Sequence, residues 1–240
     1  QVTGYGEAEL TFEGSSRTTS NKSDATTVYK KILTDCSNSV NGVTGSQALL
    51  FELFNEENRT QRLNGNIVFN FDTTHHGEHT RNYAFDKSGV KNQSVCMYPD
   101  WAEYSITGPI QYSSQSSQNS LGKEFPDRQY NLFNQTLNNN SENLEFFLLE
   151  DSLATPVYFE VLDKGGNPVP GATVSVRRYF IGEDSYLTVA KSQADSDGVA
   201  TTYMRVNEIY YKYTVTKNGE VLLDTDRQIF PQMYSPLDRE

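Results

Sequence analysis

Short runs in which apolar and polar residues alternate recur along the chain, and apolar residues almost never return at the three-and-four spacing of a helix. Ala8, Leu10 and Phe12 share one face of a predicted strand. Ile67, Phe69 and Phe71 share one face of another, whose reverse carries Asn66, Val68, Asn70 and Asp72. Further strands are expected at residues 48–54, 105–112, 129–133 and 144–149. Between them, residues 113–120 (SSQSSQNS) and 138–140 (NNN) are too polar to build a core and read as exposed loops.

The texture changes near residues 151–156, where a polar DSLATP stretch gives way to denser strands with regular turns. Val157, Phe159 and Val161 alternate with Tyr158, Glu160 and Leu162 up to the turn Asp163-Lys-Gly-Gly-Asn-Pro. Ala172, Val174 and Val176 are expected inward, with Thr173, Ser175 and Arg177 outward. Strands follow at 186–191 and 199–206, then Ile209, Tyr211, Tyr213 and Val215 share a face. Asn218-Gly219 signals a tight turn built on positive φ. Strands at 220–223 and 227–230 complete about seven in roughly 80 residues, the spacing of a small β-sandwich. The fold class predicted is all-β, two β-sandwich domains in tandem: residues 1–152, carrying the cysteines and glycosylation sequons, and residues 153–240.

The run from Val161 to Val176 (VLDKGGNPVPGATVSV), with Ala194-Asp-Ser-Asp-Gly-Val-Ala200 and the Tyr-rich strand at 210–215, resembles carboxypeptidase-regulatory-like and transthyretin-like sandwich modules, including Cna-B-type domains. The resemblance covers about a third of the chain. It implies a small transthyretin-like sandwich for residues 153–240 and is nearly silent on chemistry. Cna-B relatives often carry an intramolecular Lys–Asn bond, but Lys164 falls in a turn, so no isopeptide residues are carried over. The chain as a whole resembles ectodomains of uncharacterised surface proteins of archaea, their viruses and phages, which implies a structural role outside the cell.

Composition narrows the partners. The 240 residues are 36% hydrophobic and 21% charged, as in a globular protein. With 20 basic against 31 acidic side chains, the net charge of −11 repels phosphate backbones and anionic membranes, so no nucleic-acid partner is expected. No apolar run reaches the roughly 18 residues a spanning helix needs; membrane contact is expected only through a segment outside this chain. Cys36 and Cys96 are either two thiols or one bridge; a bridge would close a loop of 60 residues, worth about 4 kcal/mol in chain entropy. Five sequons, at Asn21, Asn58, Asn92, Asn134 and Asn139, favour an oxidising, extracellular or virion-surface location. Gln1 in place of Met suggests a cleaved precursor or a chosen boundary.

Candidate chemistry is sparse. All three histidines fall in His75-His76-Gly77-Glu78-His79, which formally satisfies H-x-x-E-H. That motif needs a helix, whereas the flanking threonines favour extended chain and Gly77 interrupts helix. The alternatives are an exposed polar loop, a turn-borne metal site using His75, His76, Glu78 and His79, or a contact sensitive to protonation. Asp195 and Asp197 fit a turn better than a calcium loop, because Val199 and Val206 occupy ligand positions. Glu183, Asp184, Asp224 and Asp226 could gather calcium only if their loops converge. Trp101, the single tryptophan, lies with Tyr98 and Tyr104 in an aromatic cluster that could stack on sugar rings, or could pack over a Cys36–Cys96 bridge. No nucleophile elbow, Walker loop or dinucleotide fingerprint is present, and no catalytic residue or cofactor is expected.

The expected function is that of a secreted structural or adhesive subunit of a surface layer, filament or virion. Its partners would be other copies of itself, other surface proteins and glycans, with residues 1–12 and 229–240 as candidates for strand exchange. The alternatives are a carbohydrate-binding module around Trp101 and a metal-dependent hydrolase at the histidine loop.

Overall fold

The computed structural model describes residues 32–37, 45–75, 79–98 and 103–225, and these are almost entirely strand and turn. Nine strands precede residue 150: β1 (Ile32–Asp35), β2 (Ser46–Asn55), β3 (Asn58–Arg62), β4 (Gly65–His75), β5 (His79–Val90), β6 (Asn92–Tyr98), β7 (Tyr104–Ser114), β8 (Phe125–Leu137) and β9 (Glu142–Leu148). Six follow: β10 (Thr155–Glu160), β11 (Thr173–Phe180), β12 (Ser185–Gln193), β13 (Val199–Met204), β14 (Tyr211–Lys217) and β15 (Glu220–Asp224). The chain is all-β, in stacked sheets. The boundary expected at 152/153 falls in a single 3-10 turn, Asp151–Leu153.

One sheet runs β1-β6-β2-β3, with β9 pairing in parallel along β2. An eight-stranded sheet runs β15-β14-β11-β12-β8-β7-β4-β5, and β10 pairs only with β13 among the described strands. The long sheet passes from one half of the chain to the other through the parallel pairing of β12 with β8, at Lys191 and Tyr130. Alternation explains the first core: Ile67, Phe69 and Phe71 of β4 meet Phe51 of β2 and Phe146 of β9, with Phe51 edge-on to Phe69 at 5.4 Å. The second core gathers Ala172, Val174, Val176, Val189, Ala190, Met204 and Tyr211 beneath β10 and β13.

β2 and β9 belong to both cores. Leu144, Phe146 and Leu148 point to the first, so the period of two sends Phe147 to the opposite face, into the second. Its register partner Phe54 does the same, with ring centroids 6.4 Å apart. This accounts for the continuous apolar run at residues 146–149, which is buried on both faces.

Four strands exceed the sequence expectation: β1, β3, β5 and β6. β5 alternates Tyr83 and Phe85, packed on the core, with exposed Asn82, Ala84 and Asp86, a pattern masked by its many polar residues. Thr173, expected outward, is buried, because β8 passes over it and Asn131 Nδ2 donates to its hydroxyl at 3.1 Å. The Asn218-Gly219 turn forms as predicted, with φ of 52° and 83°. The strands expected at residues 8–12 and 227–230 lie outside the described residues.

Candidate functional site

A cluster of buried ion pairs lies where the two cores meet. Asn55 and Asn58 pair across the end of the β2–β3 hairpin, which leaves Glu56 and Glu57 as the two residues of its tip. A hairpin tip is ordinarily solvated. Here the Glu56 amide donates to Leu148 O at 2.9 Å, drawing the tip between the sandwiches, and the Glu56 side chain is fully buried.

Three arginines, two from strands and one from the residue after β13, converge on that tip. Arg128 of β8, fully buried, pairs with Glu56 Oε2 and donates to the carbonyls of Phe147 at 2.8 Å and Tyr203 at 2.6 Å. Arg178 of β11 donates to Glu56 Oε1 at 2.8 Å and Glu57 Oε1 at 2.6 Å. Arg205, just past β13, reaches Glu57 Oε2 at 2.5 Å and pairs with Glu208. Three guanidinium groups thus face three carboxylates, and the network is neutral as a unit. Burial is the largest single influence and would lower the Arg128 pKa, but the Glu56 charge, the hydrogen bond to Glu56 and the neighbouring tyrosines together raise it; Arg178 is raised in the same way by Glu56 and Glu57 together. Both arginines therefore stay charged within the cluster.

Aromatic rings flank these ions. Arg59 of β3 lies 5.3 Å from the ring centres of both Phe147 and Phe180, and it pairs with Glu145 at 2.7 Å and with Glu183. Phe147 packs on Phe180 at 5.5 Å. Farther along the seam, buried Tyr112 stacks on Phe146 at 4.8 Å and donates its hydroxyl to Val189 O at 2.7 Å. Lys191 sits 4.6 Å over the Tyr130 ring, and Gln129 Oε1 accepts from the Gln193 amide at 3.0 Å. Hydrophobic, ionic and hydrogen-bonded contacts therefore join residues before and after 152 along the whole seam. An interface of this kind resists hinge motion, whereas the usual joint between domains is smaller and more mobile.

The predicted sites are dispersed. Cys36 and Cys96 form a disulfide that ties β1 to β6, with Cα atoms 4.9 Å apart. Beside it, Asp35 accepts from Lys87 Nζ at 2.7 Å and from the amide and hydroxyl of Ser37 at 2.9 Å each. Burial pushes the Asp35 carboxyl up, but these donors prevail and hold it at about 2. Asn58, Asn92, Asn134 and Asn139 are all exposed; Asn21 lies outside the described residues.

The histidine segment joins two antiparallel strands, with His75 opposite His79 in register. His76 and Glu78 lie outside the described residues, as do the side chains of His75 and His79. Trp101 is likewise outside them. For Tyr104 alone the expectation of a sugar-stacking ring is corrected: it is 4% exposed, faces the first core and donates its hydroxyl to Tyr98 O at 2.9 Å. Tyr98 supplies that carbonyl from the end of β6. Asp195 Oδ1 accepts the amides of Asp197 and Val199 at 2.9 Å each, as a turn requires. Glu183 and Asp224 are held apart, in ion pairs with Arg59 and Arg177. Among the described residues no three His, Cys, Asp or Glu side chains converge as a metal site.

No protein-family model matches the chain, and no curated protein matches it. Among solved structures, it is similar to a Bacteroides ovatus protein described as a candidate adhesin (10% identity, 80% of each chain, TM-score 0.21). It is also similar to a streptococcal ancillary pilin (11% identity, 78% of this chain and 59% of the pilin, TM-score 0.25). A second candidate adhesin from Bacteroides ovatus ATCC 8483 aligns over 86% of this chain and 96% of its own, at 13% identity and TM-score 0.26. These likenesses are loose, and the functional reading rests on the geometry of the seam.

Proposed function

We propose that the chain is a non-catalytic structural or adhesive subunit that works outside the cell, in a surface layer, a filament or a virion surface. The observation that carries this reading is the seam. Three charged groups, Arg128, Glu56 and Arg178, are buried between the two halves and paired with one another. An enzyme keeps such groups convergent on a cleft, where they meet substrate. A subunit that must keep its shape under contact forces uses them to lock its parts.

Two further features support the location. The Cys36–Cys96 disulfide suits an oxidising compartment, and four sequon asparagines stand on the surface where Asn-linked glycans would be accommodated. Function then resides in exposed edges and faces, with glycans covering part of the surface. Electron microscopy of native material tests the reading: ordered filaments or lattices that contain this chain support it. Dispersed monomers with a measurable hydrolytic turnover would overturn it.

A further inference from the structure

β15 ends the eight-stranded sheet, and among the described residues it pairs only with β14. All five of its side chains are exposed, including three consecutive apolar ones: Val221 at 58%, Leu222 at 48% and Leu223 at 53%. A register shift at Val215/Thr216 places Val221 opposite Thr216 and Leu223 opposite Val215, and leaves Leu222 without a register partner. Soluble chains ordinarily defend such an edge with charge placed within the strand. The far edge of the same sheet does so, since β5 carries Arg81, Asp86 and Lys87.

The two acids of β15 lie at its ends, one paired within the chain and the other beside a cation in register. Glu220 stands opposite Lys217 in register. Asp224 pairs with Arg177 at 2.6 Å and accepts from Thr214 at 2.9 Å. In a chain of net charge −11, copies repel one another over most of their surface. β15 is an edge where an apolar stripe is exposed and the flanking charge is already compensated. Those properties select a partner that is itself apolar and locally neutral, and the same stripe on a second copy meets both conditions.

We infer that β15 is a self-association edge, at which the β15 strands of two copies meet antiparallel about a two-fold axis. This inference rests on the proposed assembly role and names the surface that serves it. In that arrangement Leu222 faces Leu222 of the second copy, and Val221 faces Leu223. Arg177, already on Asp224, lies beside the second copy's Glu220 and bridges the two acids. Such a contact is isologous and closes on itself. A five-residue strand pairing buries far less than the roughly 1,200 Å² of a standard stable interface. The contact is therefore weak for free subunits, and it becomes effective when they are held side by side and their local concentration is high.

The test uses the purified whole chain in sedimentation velocity over a wide concentration range, with Leu222→Lys alongside. Leu222 is exposed, so the variant keeps its melting temperature while placing a lysine on the edge. The wild type is expected to show a sedimentation coefficient that rises with concentration, and Leu222→Lys a flat one. Leu222→Cys supplies the geometry: under mild oxidation it should form a covalent dimer at least tenfold faster than Thr201→Cys, an exposed position on β13. Wild-type association that survives Leu222→Lys, or equal cross-linking rates for the two cysteine variants, would overturn the edge and leave the assembly role standing. Absence of association at every concentration, together with absence of ordered arrays in native material, would overturn the assembly role itself.

Discussion

Replacing Glu56 by Gln removes one charge from the centre of the seam and almost nothing else. The side chain keeps its volume and one oxygen. In the native protein its two oxygens serve Arg128 and, at 2.8 Å, Arg178, while both Glu56 and Arg128 are fully buried. Hydrogen bonds to charged groups contribute about 1.5–3 kcal/mol each, and neutral ones about 1. Glu56→Gln retains one bond, now from a charged guanidinium to a neutral carbonyl oxygen, and points its amide hydrogens at the second guanidinium, a donor facing donors. The buried network also changes from neutral to a net charge of +1. The loss should be roughly 3–5 kcal/mol, the cost of breaking a buried ion pair from one side. In a chain of this length that lowers the melting temperature by roughly 10 °C, at about 2–4 °C per kcal/mol.

Urea denaturation followed by circular dichroism measures the loss, which should be insensitive to salt because the pair is shielded from solvent. The double variant Glu56→Leu with Arg128→Met removes both charges and should recover most of the stability, since an apolar pair avoids the desolvation penalty. Arg128 Nε is buried without a hydrogen-bond partner among the described residues, a cost that an apolar pair at these positions does not carry. A Glu56→Gln variant within 0.5 kcal/mol of the wild type, or a double variant worse than both single ones, would refute this account of the seam.

Acid should loosen the Cys36 end of the molecule. Asp35, folded at about 2 against an ordinary 3.8, adds stability that is fully present above pH 4 and is lost as pH falls toward 2. With Lys87 part-exposed, solvent screening reduces that contribution to about 1 kcal/mol. Asp35→Asn should flatten the pH dependence in this range, as measured by melts at pH 5 and pH 2.5. Gly108, at φ 151° in the irregular stretch of β7, has the carbonyl of Asn70 where a Cβ would stand, so Gly108→Ala forces apart the β4–β7 backbones. A loss of at least about 2 kcal/mol is expected in the same urea assay; a neutral substitution would show that these two strands separate at little cost.

The all-β class and most strand positions could be read from alternation, and the Asn218-Gly219 turn from its residue types, because both are local properties. The seam could not. Glu56-Glu57 reads as a solvated hairpin tip, and Arg128 sits in an ordinary polar strand sequence. Only pairing between β2 and β9, whose partners are 93 residues apart, brings them together. One signal was present: Phe146 and Phe147 are adjacent, so in a strand one of them must face away from the first core and needs a second surface to cover it. The burial of Tyr104 was hidden for a related reason. Tyr104 and Trp101 are close in sequence, but a strand begins at Tyr104 and turns it inward, which residue type alone does not reveal.

The central claim is that the two halves form one rigid body whose strongest groups are turned inward. Pulsed electron spin resonance between labels at Asp86→Cys and Asp197→Cys, both exposed and on opposite sides of the seam, measures this directly. A single narrow distance distribution, broadened by Glu56→Gln, is the predicted result. A broad or bimodal distribution in the otherwise unaltered chain would show a hinge near Asp151–Leu153 and contradict the account.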